Sequence, residues 1–209
     1  QEANLDRATE LTGSERFVAT NVVRAADLDP LEAGMLVGHE RAKQAIKAVS
    51  PDLPVGLSLA LIDDQAQGAT RLRDAMREKL YGVWLRAARA DDFLGVQNYE
   101  RVIWGEDGKI DPPEGGLRNF RGVEVYPPSL AGAVRYAHEV SKVPILVTEH
   151  GVGTDDDTVR EAIITGGLDH LHTAIADGVP VLGYCHWSLL DNFEWIFGFA
   201  PRLGLHSVD

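Results

Sequence analysis

Four times along this chain, a stretch of apolar residues at helical spacing gives way to a short continuous apolar run. The first helix starts at Asp29-Pro30 and carries Leu31, Met35, Leu36, His39, Ala42, Ile46 and Val49 at helical spacing, up to a stop at Ser50-Pro51. His39 on that stripe reads as a packed residue rather than a ligand. Residues 55–61 then form a buried strand. A second helix over 69–89 turns Leu72, Met76, Leu80, Val83 and Ala87 to one face, and residues 91–99 make the next strand. Pro127 opens a third helix with Leu130, Val134, Ala137 and Val140 inward, feeding the run Ile145-Leu146-Val147. A fourth helix runs from Asp155-Asp156-Asp157, whose charges suit its N-terminus, to about Asp177, before a last strand over 181–186. Alternating units of this kind predict an α/β fold with a parallel sheet. Four of them are half of a (β/α)8 TIM barrel, with an open doubly wound sheet as the alternative.

The 209 residues are expected to form a single partial barrel domain, with residues 1–29 as an irregular or loosely helical lead-in. Gly166-Gly167 inside the fourth helix predicts close packing or a local break, because each glycine costs a helix about 1 kcal/mol. The formal charge of −12 argues against a nucleic-acid partner, since phosphate binding needs a basic surface. No apolar run is long enough to span a bilayer, so no membrane role is expected. The single Cys185 excludes an intrachain disulfide and a cysteine-based zinc cluster. It fits a reducing compartment, and a cytoplasmic location is the expectation. No cofactor and no metal are expected.

Polar and aromatic residues gather where strands end. Gln97, Asn98 and Tyr99 close the second strand, Glu149 and His150 the third, and Trp187, Asp191, Asn192, Glu194 and Trp195 follow the fourth. In parallel α/β folds chemistry sits at the carboxyl ends of strands, so these groups belong to one rim. Rings that pack on sugar C–H faces, beside carboxylates that bind hydroxyls, suit a carbohydrate site.

Two of these stretches resemble glycoside hydrolase family 1, the β-glucosidases and β-galactosidases. Val147-Thr-Glu-His-Gly151 is similar to its nucleophile motif, with His150 in place of the usual Asn. Gly183-Tyr-Cys-His-Trp-Ser-Leu-Leu-Asp-Asn-Phe-Glu-Trp195, with Gly198-Phe199, is similar to its C-terminal signature. Phe93-Leu-Gly-Val-Gln-Asn-Tyr99 and Gly122-Val-Glu-Val-Tyr-Pro127 match in order. The resemblance implies that Glu149 is a retaining nucleophile hydrogen-bonded by Tyr99. It further implies that Glu194 and Trp195 hold sugar hydroxyls, that Trp187 is a stacking platform, and that Asn98 and Phe199 line the same subsite.

Retaining glycosidases need a second carboxyl, about 5 to 5.5 Å from the first, as general acid and base. The family carries it in an N-E-P motif at the end of the fourth barrel strand, and this sequence contains no such motif. The resemblance therefore implies the C-terminal half of a retaining β-glycosidase that hydrolyses terminal β-D-glycosides by double displacement. Its partners would be a β-glycoside substrate and the missing N-terminal half, or a second chain, that completes the barrel. Alone it is expected to be inactive. The competing expectation is a non-catalytic half-barrel that binds sugars or assembles.

Overall fold

The computed structural model describes residues 2–18, 22–195 and 197–208. The chain divides into two compact units, Gln1–Leu53 and Pro54–Asp209, where one domain is expected from the sequence. The first holds helices α1 (Glu2–Thr12) and α2 (Leu28–Val49). Residues 2–12 of the expected lead-in are thus helical. In α1, Arg7 pairs with Glu10 one turn on, and Thr9 and Thr12 hydroxyls return to carbonyls of the preceding turn. Helix α2 starts as Pro30 predicts, but none of its residues is buried; Met35 is 54 % and Val49 85 % exposed.

The second unit contains β1 (Gly56–Ala60), β2 (Asp63–Ala66), α3 (Arg71–Arg77), α4 (Val83–Ala87), β3 (Phe93–Asn98), β4 (Arg101–Trp104), β5 (Lys109–Ile110), α5 (Ser129–Ser141), β6 (Ile145–His150), α6 (Asp157–Ala176) and β7 (Val181–Tyr184). Strands β1, β3, β6 and β7 lie in that order in a parallel sheet, with each crossover made by helices. This is the predicted succession of βα units. A smaller sheet, β2-β4-β5, was not foreseen. Its strands are two to four residues long, and Asp63-Asp64-Gln65 carries no apolar signal.

One face of the main sheet packs on the helices. Leu94, Val96, Ile145 and Val147 are fully buried there against Leu85, Leu130, Val134, Ala137 and Leu171. The opposite face, which a closed barrel fills with its own side chains, is open: Ser58 and Ala60 on β1 and Leu182 on β7 are exposed.

Helix α3 continues into α4 through a π-helical turn, Glu78–Gly82. The expected apolar face changes phase there. Leu72 and Met76 are half-buried, but Leu80 is exposed, and Tyr81, Leu85 and Ala88 enter the core instead. A five-residue turn adds one residue to the count, which carries the stripe one position further along the chain. The glycines of α6 also have a cause. The helix is unbroken, and a Cβ on Gly167 would lie 2.6 Å from His150 Cε1, while one on Gly166 would lie 2.8 Å from Pro127. Close packing, not a break, explains both.

Candidate active site

Strict alternation along β6 would ruin Glu149. Ile145 and Val147 face the helices, so the next residue of the same parity would face them too. A bulge prevents this. Val96 pairs with Val147 but Gln97 pairs with Glu149, leaving Thr148 as the extra residue. Parity flips there in β6 alone: His150 joins its partner Asn98 as a fully buried helix-side residue, and Glu149 turns with Gln97 to the open side.

There Glu149 accepts two hydrogen bonds. Tyr99 Oη donates to Oε2 at 2.7 Å and Gln97 Nε2 donates to Oε1 at 2.9 Å. Burial and this bond to the carboxylate raise the Tyr99 phenol far above its ordinary value, so it stays protonated and donating. Gln97, given no role from the sequence, is the residue that reaches the carboxylate. Its neighbour Asn98 does not. The Asn98 amide is fully buried on the other face, donating to the carbonyls of Leu61 and Glu100 and accepting from Ser129 Oγ at 2.8 Å. The parity that aims Gln97 outward turns Asn98, expected in the subsite, to the helix side of the sheet.

Glu149, Gln97 and Tyr99 line a cavity of about 650 Å3 together with Trp187, Asn192, Glu194 and Trp195. Gly151 brings Trp187 close, since a Cβ there would lie 2.1 Å from the Trp187 carbonyl oxygen, and Trp187 N donates to the His150 carbonyl. The following loop is held by the returning C-terminal segment. Ser188 N donates to the Leu203 carbonyl and the Ser188 carbonyl accepts from Leu205 N, while Asp191 accepts from Gly204 N and pairs with Arg202. Glu194 Oε1 accepts from Asn192 Nδ2 at 2.6 Å, and the tight turn from Glu194 to Gly198 leaves Trp195 82 % exposed at the cavity rim.

Phe199 stands outside the lining. It packs edge-to-face on Phe193, which lines the cavity in its stead, and is 68 % exposed. The wall also contains Phe120 and Phe197, edge-to-face at 5.4 Å, with Asn119 and Arg121, none of them singled out from the sequence. Asn119, Phe120 and Arg121 come from a hairpin in which Asn119 accepts from the backbone N–H groups of Arg121 and Val123, and Phe197 from the loop after β7. Nothing in the spacing of residues 117–125 announces that hairpin.

Behind the site, His150 is fully buried against Tyr184, whose hydroxyl lies 2.9 Å from Nδ1. Burial, with the nearby His186, lowers His150 to about 4, and burial lowers His186 as well. Arg160, itself buried, binds the carbonyls of Val152, Thr154 and Arg202, fixing the loop that leaves β6. Among the described residues no cluster of three or more His, Cys, Asp or Glu is arranged to hold a metal ion, and no helix is long and apolar enough to cross a membrane.

A parallel sheet of βα units with carboxylates and aromatic rings at its carboxyl rim is the arrangement of a (β/α)8-barrel glycosidase, seen in part. The sequence model of glycosyl hydrolase family 1 matches residues 120–209. The crystal structure of the β-glycosidase BGL167 is 37 % identical with a TM-score of 0.87, over 98 % of this chain and 49 % of that one. A β-galactosidase of Saccharolobus solfataricus is 38 % identical over 84 % of this chain and 43 % of its own. A chloroplastic galactolipid galactosyltransferase of Arabidopsis thaliana is 37 % identical over 56 % of this chain and 19 % of its own. The chain belongs to glycosyl hydrolase family 1 and spans less than half the length of these curated relatives. Its fold is part of their barrel, as the motifs implied.

Proposed function

We propose that this chain carries the nucleophile half of a retaining β-glycosidase. Glu149 attacks the anomeric carbon of a terminal β-glycoside, the glycosyl ester forms as the C–O bond to the aglycone breaks, and water then releases the sugar. The observation that carries this reading is the pair of donors on Glu149. Tyr99 and Gln97 hold its two oxygens in place on the open face of the sheet, at the strand end where barrel chemistry occurs. Glu194 accepts from the sugar hydroxyls, Trp187 and Trp195 pack on its faces, and Phe193 extends that wall. The general acid and base comes from outside this chain, from the complementary half of a barrel or from a second chain. Alone, the protein does not turn over unactivated glycosides.

One reagent separates the nucleophile from the missing acid. A 2-deoxy-2-fluoro-β-glucoside with a 2,4-dinitrophenolate leaving group departs without protonation, so the purified 209-residue chain should acquire one fluoroglucosyl group on Glu149, read by intact-mass and peptide mass spectrometry. Glu149→Gln should acquire none. An unlabelled wild-type chain, or label on another carboxylate, overturns the assignment. The open, unfilled inner face of the sheet favours a second reading, a half-barrel that binds sugars without turnover. That reading requires sugar affinity to be lost in Glu194→Ala while no label forms.

A further inference from the structure

The bulge that aims Glu149 is itself pinned. Ser58 of β1 and Thr148 of β6 lie on the open face of the sheet, on either side of β3, and their hydroxyls meet at 2.7 Å. They can do so because the residue between them is Gly95. Ser58 pairs with Gly95 in the sheet register, and a Cβ on Gly95 would lie 2.8 Å from Ser58 Oγ. Thr148 Oγ1 also reaches the Val96 carbonyl, at 3.3 Å, at the point where the register slips. The bulged residue is therefore tied to two strands by its side chain, immediately before the carboxylate it re-aims.

We infer that Ser58 is a positioning residue for Glu149, acting through Thr148. A bulge leaves its extra residue without a ladder partner, and the direction of the following side chain then depends on whatever holds that residue. Here a hydroxyl from two strands away holds it. Ser58 is not one of the residues that line the cavity, and its hydroxyl is bonded to Thr148 rather than to Glu149, so its loss acts on orientation rather than on binding. This rests on the proposal that Glu149 is the nucleophile, and the fluoroglucoside keeps the two apart. Labelling of the wild-type chain tests the nucleophile; the rate in variants tests the clasp.

With the full 209-residue chain, Ser58→Ala should slow the first-order labelling constant about tenfold, from misplacement of a reacting atom. The concentration for half-maximal rate and the thermal midpoint should stay near wild type, which a merely structural role would not separate. Thr148→Val should behave like Ser58→Ala, whereas Thr148→Ser, which keeps the hydroxyl, should restore the rate. Wild-type labelling in Ser58→Ala, or equal rates for Thr148→Ser and Thr148→Val, overturns the clasp. Failure of the wild-type chain to label removes the nucleophile and the clasp with it.

Discussion

His150 should make this fold acid-sensitive, by an amount set by how deeply it is buried. Its ring is fully inaccessible between Tyr184 and the Gly167 face of α6, and burial holds it neutral down to about 4, against 6.5 for a free imidazole. Below pH 6.5 the unfolded chain takes up a proton that the folded chain refuses, so stability is complete above that pH and declines as pH falls toward 4. At 1.36 kcal/mol per pH unit the whole window is worth about 3 kcal/mol, of which about 2 kcal/mol is lost by pH 5. His186, lowered by burial and by Arg160, acts in the same direction. Asp63 and Asp64 oppose it. Burial raises both above the usual aspartate value, so the folded chain binds their protons more readily and gains stability as pH falls. The comparison of wild type with His150→Asn cancels these contributions. Urea titrations followed by tryptophan fluorescence at pH 7.5 and pH 5.0 should show His150→Asn losing about 2 kcal/mol less between the two pH values than wild type. Equal losses in the two proteins would refute the linkage, whatever the variant's stability at pH 7.5.

Gly167→Ala should destabilise by about 1–3 kcal/mol in the same titration, because its methyl group meets His150. Gly38→Ala in α2, where nothing lies within 4 Å, should instead be neutral or stabilising by up to about 1 kcal/mol. Asn98→Ala should cost about 2–3 kcal/mol, since it strips partners from the buried Leu61 carbonyl and Ser129 hydroxyl. The protein that remains folded should keep wild-type sugar affinity by calorimetry, and a selective loss of affinity would return Asn98 to the subsite. Tyr99→Phe should slow fluoroglucoside labelling about tenfold or more, from loss of a hydrogen bond to a charged group, with little change in the urea midpoint.

The alternation of helices and strands was legible because each element announces itself locally: Pro30 and Asp156 at helix starts, apolar runs at 145–147 and 181–182, glycine at 178. What was hidden is non-local. No single stretch shows that Thr148 is a bulge, because the bulge exists only in relation to the register of β3. The choice between Gln97 and Asn98, both read as rim residues, rests on the parity of β3, which puts Asn98 with Leu94 and Val96 on the helix side. The apolar run at 145–147 put Glu149 near a strand end without that geometry. Phe120 and Arg121 reach the cavity through a hairpin whose closure depends on the Asn119 side chain, a contact no periodicity encodes. The exposure of the α2 stripe was equally illegible, since spacing tells which residues share a face and not whether anything covers it.

The π-helical turn over Glu78–Gly82 bears on how this chain could have acquired its present length. Leu72 and Met76 stand four apart, Met76 and Tyr81 five, Tyr81 and Leu85 four. Remove one residue from the turn and the series becomes that of an ordinary helix, with the same side chains delivered to the same core. The turn thus absorbs one residue of the count: the extra residue is spent on a wider loop of backbone at the surface side, marked by the exposed Glu78, Lys79 and Leu80, while Leu85 and Ala88 keep their places in the core.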